Sequence, residues 1–198
     1  MQIKRIYFTI FILLNFSVFA FSQEAKNFRV SAVSEISNFN NGSLTSYGIN
    51  VEYFVHHNFS LNYHYSLGIN QFHNTYLHYP GGVAGLVELF RTDSYYLNNT
   101  SGSDGWGYVI LLAFILPEGV GFHTYPREWL ELEPYINPFS TDFNILDNKR
   151  STITLSFGLK AHIKPVYNLS IAPHFGLKHI YKNAQVGTIF GISVGYLF

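Results

Sequence analysis

Gly191-Ile192-Ser193-Val194-Gly195 has the G-x-S-x-G form that exposes a serine nucleophile on a tight strand-to-helix turn. That turn is denied here, because strict alternation runs through Ser193 and the chain ends five residues later. Nine histidines invite a metal site. His56 and His57 are adjacent in a turn-like stretch, His73 and His78 flank no acidic neighbour, and His64, His123, His162 and His174 fall on four separate strand segments. No zinc-type spacing results, and these imidazoles read as interior groups paired with Glu52, Glu131 or Glu133. A hydrolase or acyltransferase acting on envelope lipid needs a nucleophile, a histidine and a carboxylate converging near the outer leaflet. No such trio can be named, so no catalytic, cofactor or metal residue is expected. Asn41-Gly42-Ser43 and Asn98-Asn99-Thr100 match glycosylation sequons but mark polar loops.

The remaining chemistry is charge placed on one face of strands. Arg29, Lys160, Lys164 and Lys178 share a polar phase with Glu35, Glu52, Glu131 and Glu133, four cations against four carboxylates. Strands must position them, because side chains at successive strand residues point to opposite faces. Ile153, Leu155, Phe157, Leu159, Ala161 and Ile163 alternate with Thr152, Thr154, Ser156, Gly158, Lys160, His162 and Lys164. Leu169 to Leu177 and Phe59 to Ile69 repeat the scheme. At the C-terminus Val186, Thr188, Phe190, Ile192, Val194, Tyr196 and Phe198 oppose Gly187, Ile189, Gly191, Ser193, Gly195 and Leu197.

Eight such segments are expected near 27–37, 46–55, 59–70, 118–125, 129–143, 151–164, 168–181 and 186–198. A bulky face ending on a terminal aromatic, opposite a small and glycine-rich face, suits lipid outside and a narrow lumen inside. The expected architecture is all-β, an eight-stranded antiparallel up-and-down transmembrane β-barrel. A small barrel has an interior just wide enough for side chains, so the balanced charges pair there. A two-sheet sandwich with a wetted polar face is the alternative.

Met1 to Ser22 has a basic start at Lys4 and Arg5, an apolar run from Ile6 to Phe21 and small residues before Gln23. This reads as an export signal over 1–22, with the barrel domain spanning 23–198. Past it, the longest apolar stretch is Tyr108 to Leu116, too short for a spanning helix. The chain has no cysteine, hence no disulfide. Basic and acidic residues number 12 each, and losing Lys4 and Arg5 leaves an acidic remainder, which gives nucleic acid no electrostatic attraction.

Short turns are expected at 56–58, 126–128 and 165–167 on the side of the termini, with outer loops near 38–45, 71–117, 144–150 and 182–185. Residues 71–117 are too many for a plain hairpin, so specificity is expected in that second outer loop. Val83, Leu86, Val87 and Phe90 recur at helical spacing and suggest a short amphipathic helix, either at the membrane surface or barrel mouth or packed on its own strands. Asn98 to Gly107 reads as a polar tip, and Tyr108 to Leu116 either prolongs the fourth strand or wedges between strand tops. Pro134, Pro138 and Pro173 cannot donate to a ladder and imply bulges or gaps.

The signal-like start, the amphipathic strands and the closing Gly191-Ile-Ser-Val-Gly-Tyr-Leu-Phe198 resemble the small outer-membrane barrels of the OmpA, OmpX and OmpW kind. Pro117 to His123 (PEGVGFH) and Pro134 to Phe139 (PYINPF) likewise look like pieces of Gram-negative envelope barrels. That resemblance implies residence in the cell outer membrane among lipid and lipopolysaccharide, and insertion by the outer-membrane assembly machinery, with Tyr196 and Phe198 in the recognised signal. It implies no activity. The reading is a non-enzymatic barrel with an ion-paired lumen, envelope-structural or surface-binding through loops whose extracellular partner is unknown. Alternatives are a lipid-modifying enzyme of the lipid A deacylase or acyltransferase kind, and a narrow transporter of small apolar solutes.

Overall fold

The computed structural model describes residues 27–80, 116–145, 152–166, 168–182 and 184–198. The export signal, the helix expected at 83–90, the polar tip and residues 108–115 lie outside them. Ten strands form one antiparallel sheet: β1 (Phe28–Phe39), β2 (Gly42–His56), β3 (Phe59–Asn70), β4 (Thr75–Pro80), β5 (Gly119–Phe122), β6 (Thr124–Arg127), β7 (Leu130–Asn144), β8 (Thr152–Val166), β9 (Leu169–Ile180) and β10 (Gln185–Leu197). β10 ladders to β1 from Arg29↔Leu197 to Asn38↔Thr188, closing the sheet on itself. The ring has eight staves, because β4, β5 and β6 together make the fourth, between β3 and β7. Closure removes the free sheet edges, so the backbone groups of β1 and β10 find partners inside a bilayer.

The alternation resolves as lipid outside and lumen inside. Phe157, Leu159, Phe175, Phe190, Ile192 and Val194 are about half exposed, whereas Arg29, Glu131, Glu133 and Lys178 are buried. Tyr53 is an exception among the outward aromatics: only 3% exposed, it lies under the Phe28 ring at 5.0 Å. Small residues on the inner face of β10 make room for their neighbours. A Cβ at Gly191 would meet the His174 ring at 2.3 Å, and one at Gly195 would meet Ser31 Oγ at the same distance.

The fourth stave corrects the expected second outer loop. Residues 71–117 are not one loop: 71–74 is a tight turn, and Thr75–Pro80 runs back down the wall beside Ser66–Ile69 of β3 and Ser140–Asn144 of β7. The chain then departs from within the wall and returns at Leu116, with the Glu118 amide donating to the Asn62 carbonyl at 2.7 Å before β5 pairs with Phe59–Asn62. The two pieces of the stave meet β3 on either side of Tyr63, His64 and Tyr65. Residues 81–115, outside the described set, separate the two pieces of this stave.

Other connections shift by a few residues. The turn at 57–58 falls within the expected 56–58, and β1, β2 and β8 run further at their ends than the alternation indicated. The remaining links near the termini are 128–129 and 167–168; of the far-side links, 38–45 contracts to 40–41 and 182–185 shifts to 181–184. Register slips between Asn137 and Ser140, at Pro138, as expected of a residue without an amide proton. Pro173 lies in a gap of the β8–β9 ladder, between the pairs Lys160↔His174 and Ile163↔Ile171, while pairing regularly with Ile192 on its other side.

Candidate functional site

The inward face concentrates charge in two networks. The lower one lies near the end that carries both termini and is built on β1, β2, β7 and β8. Arg29 donates to Glu52 at 2.8 Å and to both oxygens of Glu131 at 2.8 and 2.7 Å. Lys160 bridges Glu52 and Glu133 at 2.8 and 2.9 Å, and Lys164 reaches Glu131 at 2.7 Å. His162 contacts Glu133 at 2.7 Å and stacks its nitrogens 3.1 Å from the Arg29 guanidinium. Three cations thus meet three carboxylates. The register places them together, since Arg29↔Glu52, Glu131↔His162 and Glu133↔Lys160 are direct cross-strand pairs. Phe54 backs the guanidinium at 5.2 Å, and Tyr135 and Tyr125 back the two ammonium groups at 5.4 and 4.9 Å.

Within this network His123 joins Ser60 Oγ at 2.8 Å to Glu131 at 2.7 Å. Serine, imidazole and carboxylate are thereby in relay order. Ser60 is wholly buried, its hydroxyl also lies 3.1 Å from Asn62 Oδ1, and Gly121 and Glu133 pack around it. The relay sits at the end of the termini, opposite to where outer-leaflet lipid would be reached. Ser193 of the G-x-S-x-G stretch is in mid-strand, paired with Val33 and Ala172.

The upper network contains groups that alternation alone missed. His78, set aside for lack of a sequence neighbour of opposite charge, lies between Asp142, at 2.6 Å from Nδ1, and Glu118, at 3.0 Å from Nε2. Lys178 pairs with Asp142 at 2.8 Å, Ser140 donates to Glu118, and His174 faces Glu35 at 3.4 Å. Among the described residues His64 has no ion-pair partner; its ring lies 4.9 Å from that of His78. Charge balance must be corrected accordingly. Among the described residues, Glu118 and Asp142 raise the interior carboxylates to six against four cations, and the excess lies in the upper network.

A cavity of about 40 Å³ separates the networks, lined by Glu35, Asn62, His64, His78, Glu118 and Lys178 among others. That volume has room for a few waters and is too small for an organic ligand. Among the described residues two groups have the donor types of a metal site: His64, His78 and Glu118, and Glu52, Glu133 and His162. The second set is already engaged by Arg29 and Lys160. At the C-terminus Tyr196 and Phe198 are exposed on the outer face with rings 4.9 Å apart.

A closed ring with an outward apolar belt and an ion-paired interior defines a class: the eight-stranded transmembrane β-barrel of outer membranes. No family model and no curated protein matches the chain. Among solved structures it is similar to Neisserial surface protein A, at 8% identity over 88% of this chain and 98% of that one with a TM-score of 0.49. It is also similar to the N-terminal β-barrel domain of Pseudomonas aeruginosa OprF, at 11% identity over 88% and 100% with a TM-score of 0.47. A third is Ail, the attachment invasion locus protein of Yersinia pestis, at 8% identity over 87% and 97% with a TM-score of 0.40.

Proposed function

We propose that this protein is a non-enzymatic outer-membrane barrel with a sealed lumen, serving as a rigid base from which its outer loops and the 81–115 insert engage a surface partner. The observation that carries this reading is the neutral lower network. Arg29, Lys160 and Lys164 against Glu52, Glu131 and Glu133 fill the lumen with contacts of 2.7–2.9 Å. A plug of paired charges leaves no hydrated path for ions, so conduction is not the task. In this reading the outward belt faces lipid and lipopolysaccharide, and the exposure of Tyr196 and Phe198 supports their role as the signal for the assembly machinery.

Two measurements test the proposal. Planar bilayers and liposomes carrying the protein should show no conductance or sugar swelling above lipid alone, and no leakage of small apolar solutes. Deleting 82–114 should leave heat-modifiable gel mobility intact while abolishing binding of cells to host or glycan surfaces. Steady conductance from the intact protein, or unchanged surface binding after the deletion, would overturn it.

The lipid-modifying alternative rests on the relay of Ser60, His123 and Glu131. Burial of Ser60 favours a structural role for that relay. An active-site serine would be labelled by a fluorophosphonate and lost in Ser60→Ala; absence of labelling in the folded wild type supports the non-enzymatic reading.

A further inference from the structure

The upper network is short of positive charge in one place. Among the described residues, the ion pairs give Glu35, Glu118 and Asp142 one permanent cation, Lys178, whereas the lower network is balanced without its histidines. Uncompensated carboxylates are costly in a lumen walled by lipid and protein. The hydrogen bonds sharpen the point. If His78 donates Nδ1–H to Asp142, its Nε2 lone pair faces Glu118 Oε1, which already accepts from Ser140. Two acceptors at 3.0 Å need a proton or a metal cation between them. Beside them, His64 Nε2 and Glu118 Oε2 are shielded from solvent and have no hydrogen-bond partner, although Glu118 is only 2% exposed. Both residues line the central cavity.

We infer that His64, His78 and Glu118 form a binding site for a divalent transition-metal ion of zinc's kind, opening on the central cavity. The donor atoms lie within 4.8 Å of one another. Tetrahedral ligation spaces donors by about 3.3–3.5 Å, so closure by about an ångström assembles the set. Two imidazoles and a carboxylate suit zinc, leaving the fourth position to a cavity water, whereas calcium and magnesium prefer all-oxygen shells. Asp142 supplies the outer carboxylate that orients His78 through Nδ1, and Lys178 and Ser140 hold the two carboxylates in turn. A dication offsets both missing charges at once, where a proton on His78 offsets one. The site also explains why its donors come from β3, from β4 and from the residue preceding β5. These are the strands around the break in the fourth stave, where cross-strand ladders are interrupted and a metal replaces their constraint. This inference is independent of whether the lumen conducts or the loops bind a partner.

The test uses the untagged full chain refolded in detergent micelles, with folding of each variant checked by heat-modifiable mobility. Zinc competition against a chelating dye should give one ion per barrel. Cobalt should give the visible absorption of a four-coordinate site, and calcium and magnesium should not compete. His64→Ala should weaken zinc at least tenfold and abolish the cobalt band, and Glu118→Gln should do the same. Asp142→Asn should weaken zinc by about 10–100-fold with the band shifted rather than lost. The exposed pair His56→Ala/His57→Ala should change nothing. If Glu118→Gln does not fold, His64→Ala decides, because His64 holds no ion pair whose loss threatens the barrel. Absence of stoichiometric zinc in folded wild type, equal affinity in His64→Ala, or loss of binding in the His56/His57 variant would each overturn the site.

Discussion

Replacing Arg29 by methionine keeps most of the side-chain length while removing the charge at the centre of the lower network. Three contacts vanish: the bond to Glu52, the two-pronged bond to Glu131 and the stack on His162. Breaking one side of a buried ion pair costs about 3–5 kcal/mol, because the remaining charge is left unsatisfied. Here the residual partners decide where in that range the cost falls. Glu131 keeps Lys164 and His123, and Glu52 keeps Lys160 and the Asn50 amide, so the low end applies, about 3 kcal/mol. Combining Arg29→Met with Glu131→Gln removes the excess carboxylate. It releases Lys164, whose side chain is 18% exposed at the barrel end and can turn to water, while His123 can still donate to the new amide oxygen. The double variant should recover about 1–2 kcal/mol relative to the sum of the single changes. Urea unfolding in lipid vesicles, followed by tryptophan fluorescence and by gel mobility, measures all three. Arg29→Met within about 0.5 kcal/mol of wild type would refute the plug, since that is the range of an ordinary surface change. Strict additivity of the two substitutions would refute the pairing.

Adjacent residues on opposite faces of β2 give a sharper test of orientation. Ile49→Lys, on a side chain 53% exposed at mid-strand, should cost about 2–4 kcal/mol and slow vesicle insertion, while Asn50→Lys, beside Glu52 Oε1 in the lumen, should cost less than half as much. Similar refolding yields for the two would invert the assignment of faces. Gly158→Ala should destabilise the barrel by about 1–3 kcal/mol, because its Cβ would stand 2.3 Å from the Phe175 carbonyl and 2.8 Å from the Tyr135 hydroxyl. Gly68→Ala should be nearly silent in the same urea assay, because there the Cβ meets only the mobile end of Leu44 at 2.9 Å. Ser60→Ala should cost about 1 kcal/mol in stability, the worth of a hydrogen bond. A larger loss would mean that the relay through His123 holds the lower lumen together.

Alternation made β8, β9 and β10 legible because each segregates apolar from polar residues without a slip, from Thr152 to Lys164 and from Gln185 to Leu197. Arg29, Glu52, Glu131, Glu133, Lys160, Lys164 and Lys178 could be placed inward by counting in twos along such strands. The same counting loses the upper network. From Glu131, Glu133, Tyr135 and Asn137 it points to positions 139, 141 and 143, but the bulge at Pro138 resets the phase and turns Ser140, Asp142 and Asn144 inward. Asp142 therefore could not be read as interior charge without knowing the bulge. Thr75–Pro80 hides for a different reason. Its two faces carry tyrosine alike, Tyr76 inward and Tyr79 outward, so the six residues show no hydrophobic contrast. His78 consequently reads as a loop residue, and its partner Glu118 lies forty residues away, beyond a long insert.

The two networks differ in a way that follows from how the chain builds them. Arg29, Glu52, Glu131, Glu133, Lys160 and Lys164 sit on four long strands, and their pairing is set by unbroken ladders, so charge can be matched residue against residue. Of the upper groups, His78, Glu118, Ser140 and Asp142 sit where ladders fail, at the Pro138 bulge and at the divided fourth stave, and backbone pairing constrains them less, whereas Glu35, His174 and Lys178 stay on regular ladders. Side chains there must hold the wall together themselves. Lys178 tying β9 to Asp142 on β7, and His78 tying β4 to both Glu118 and Asp142, perform that service across the gap. Severing it with His78→Ala should therefore loosen the wall locally. Hydrogen exchange should rise in β4 and β5 while the β8–β9 and β9–β10 ladders stay protected. Uniform exchange across all eight staves would show instead that the barrel opens as one unit, and that the upper contacts are dispensable to the divided stave.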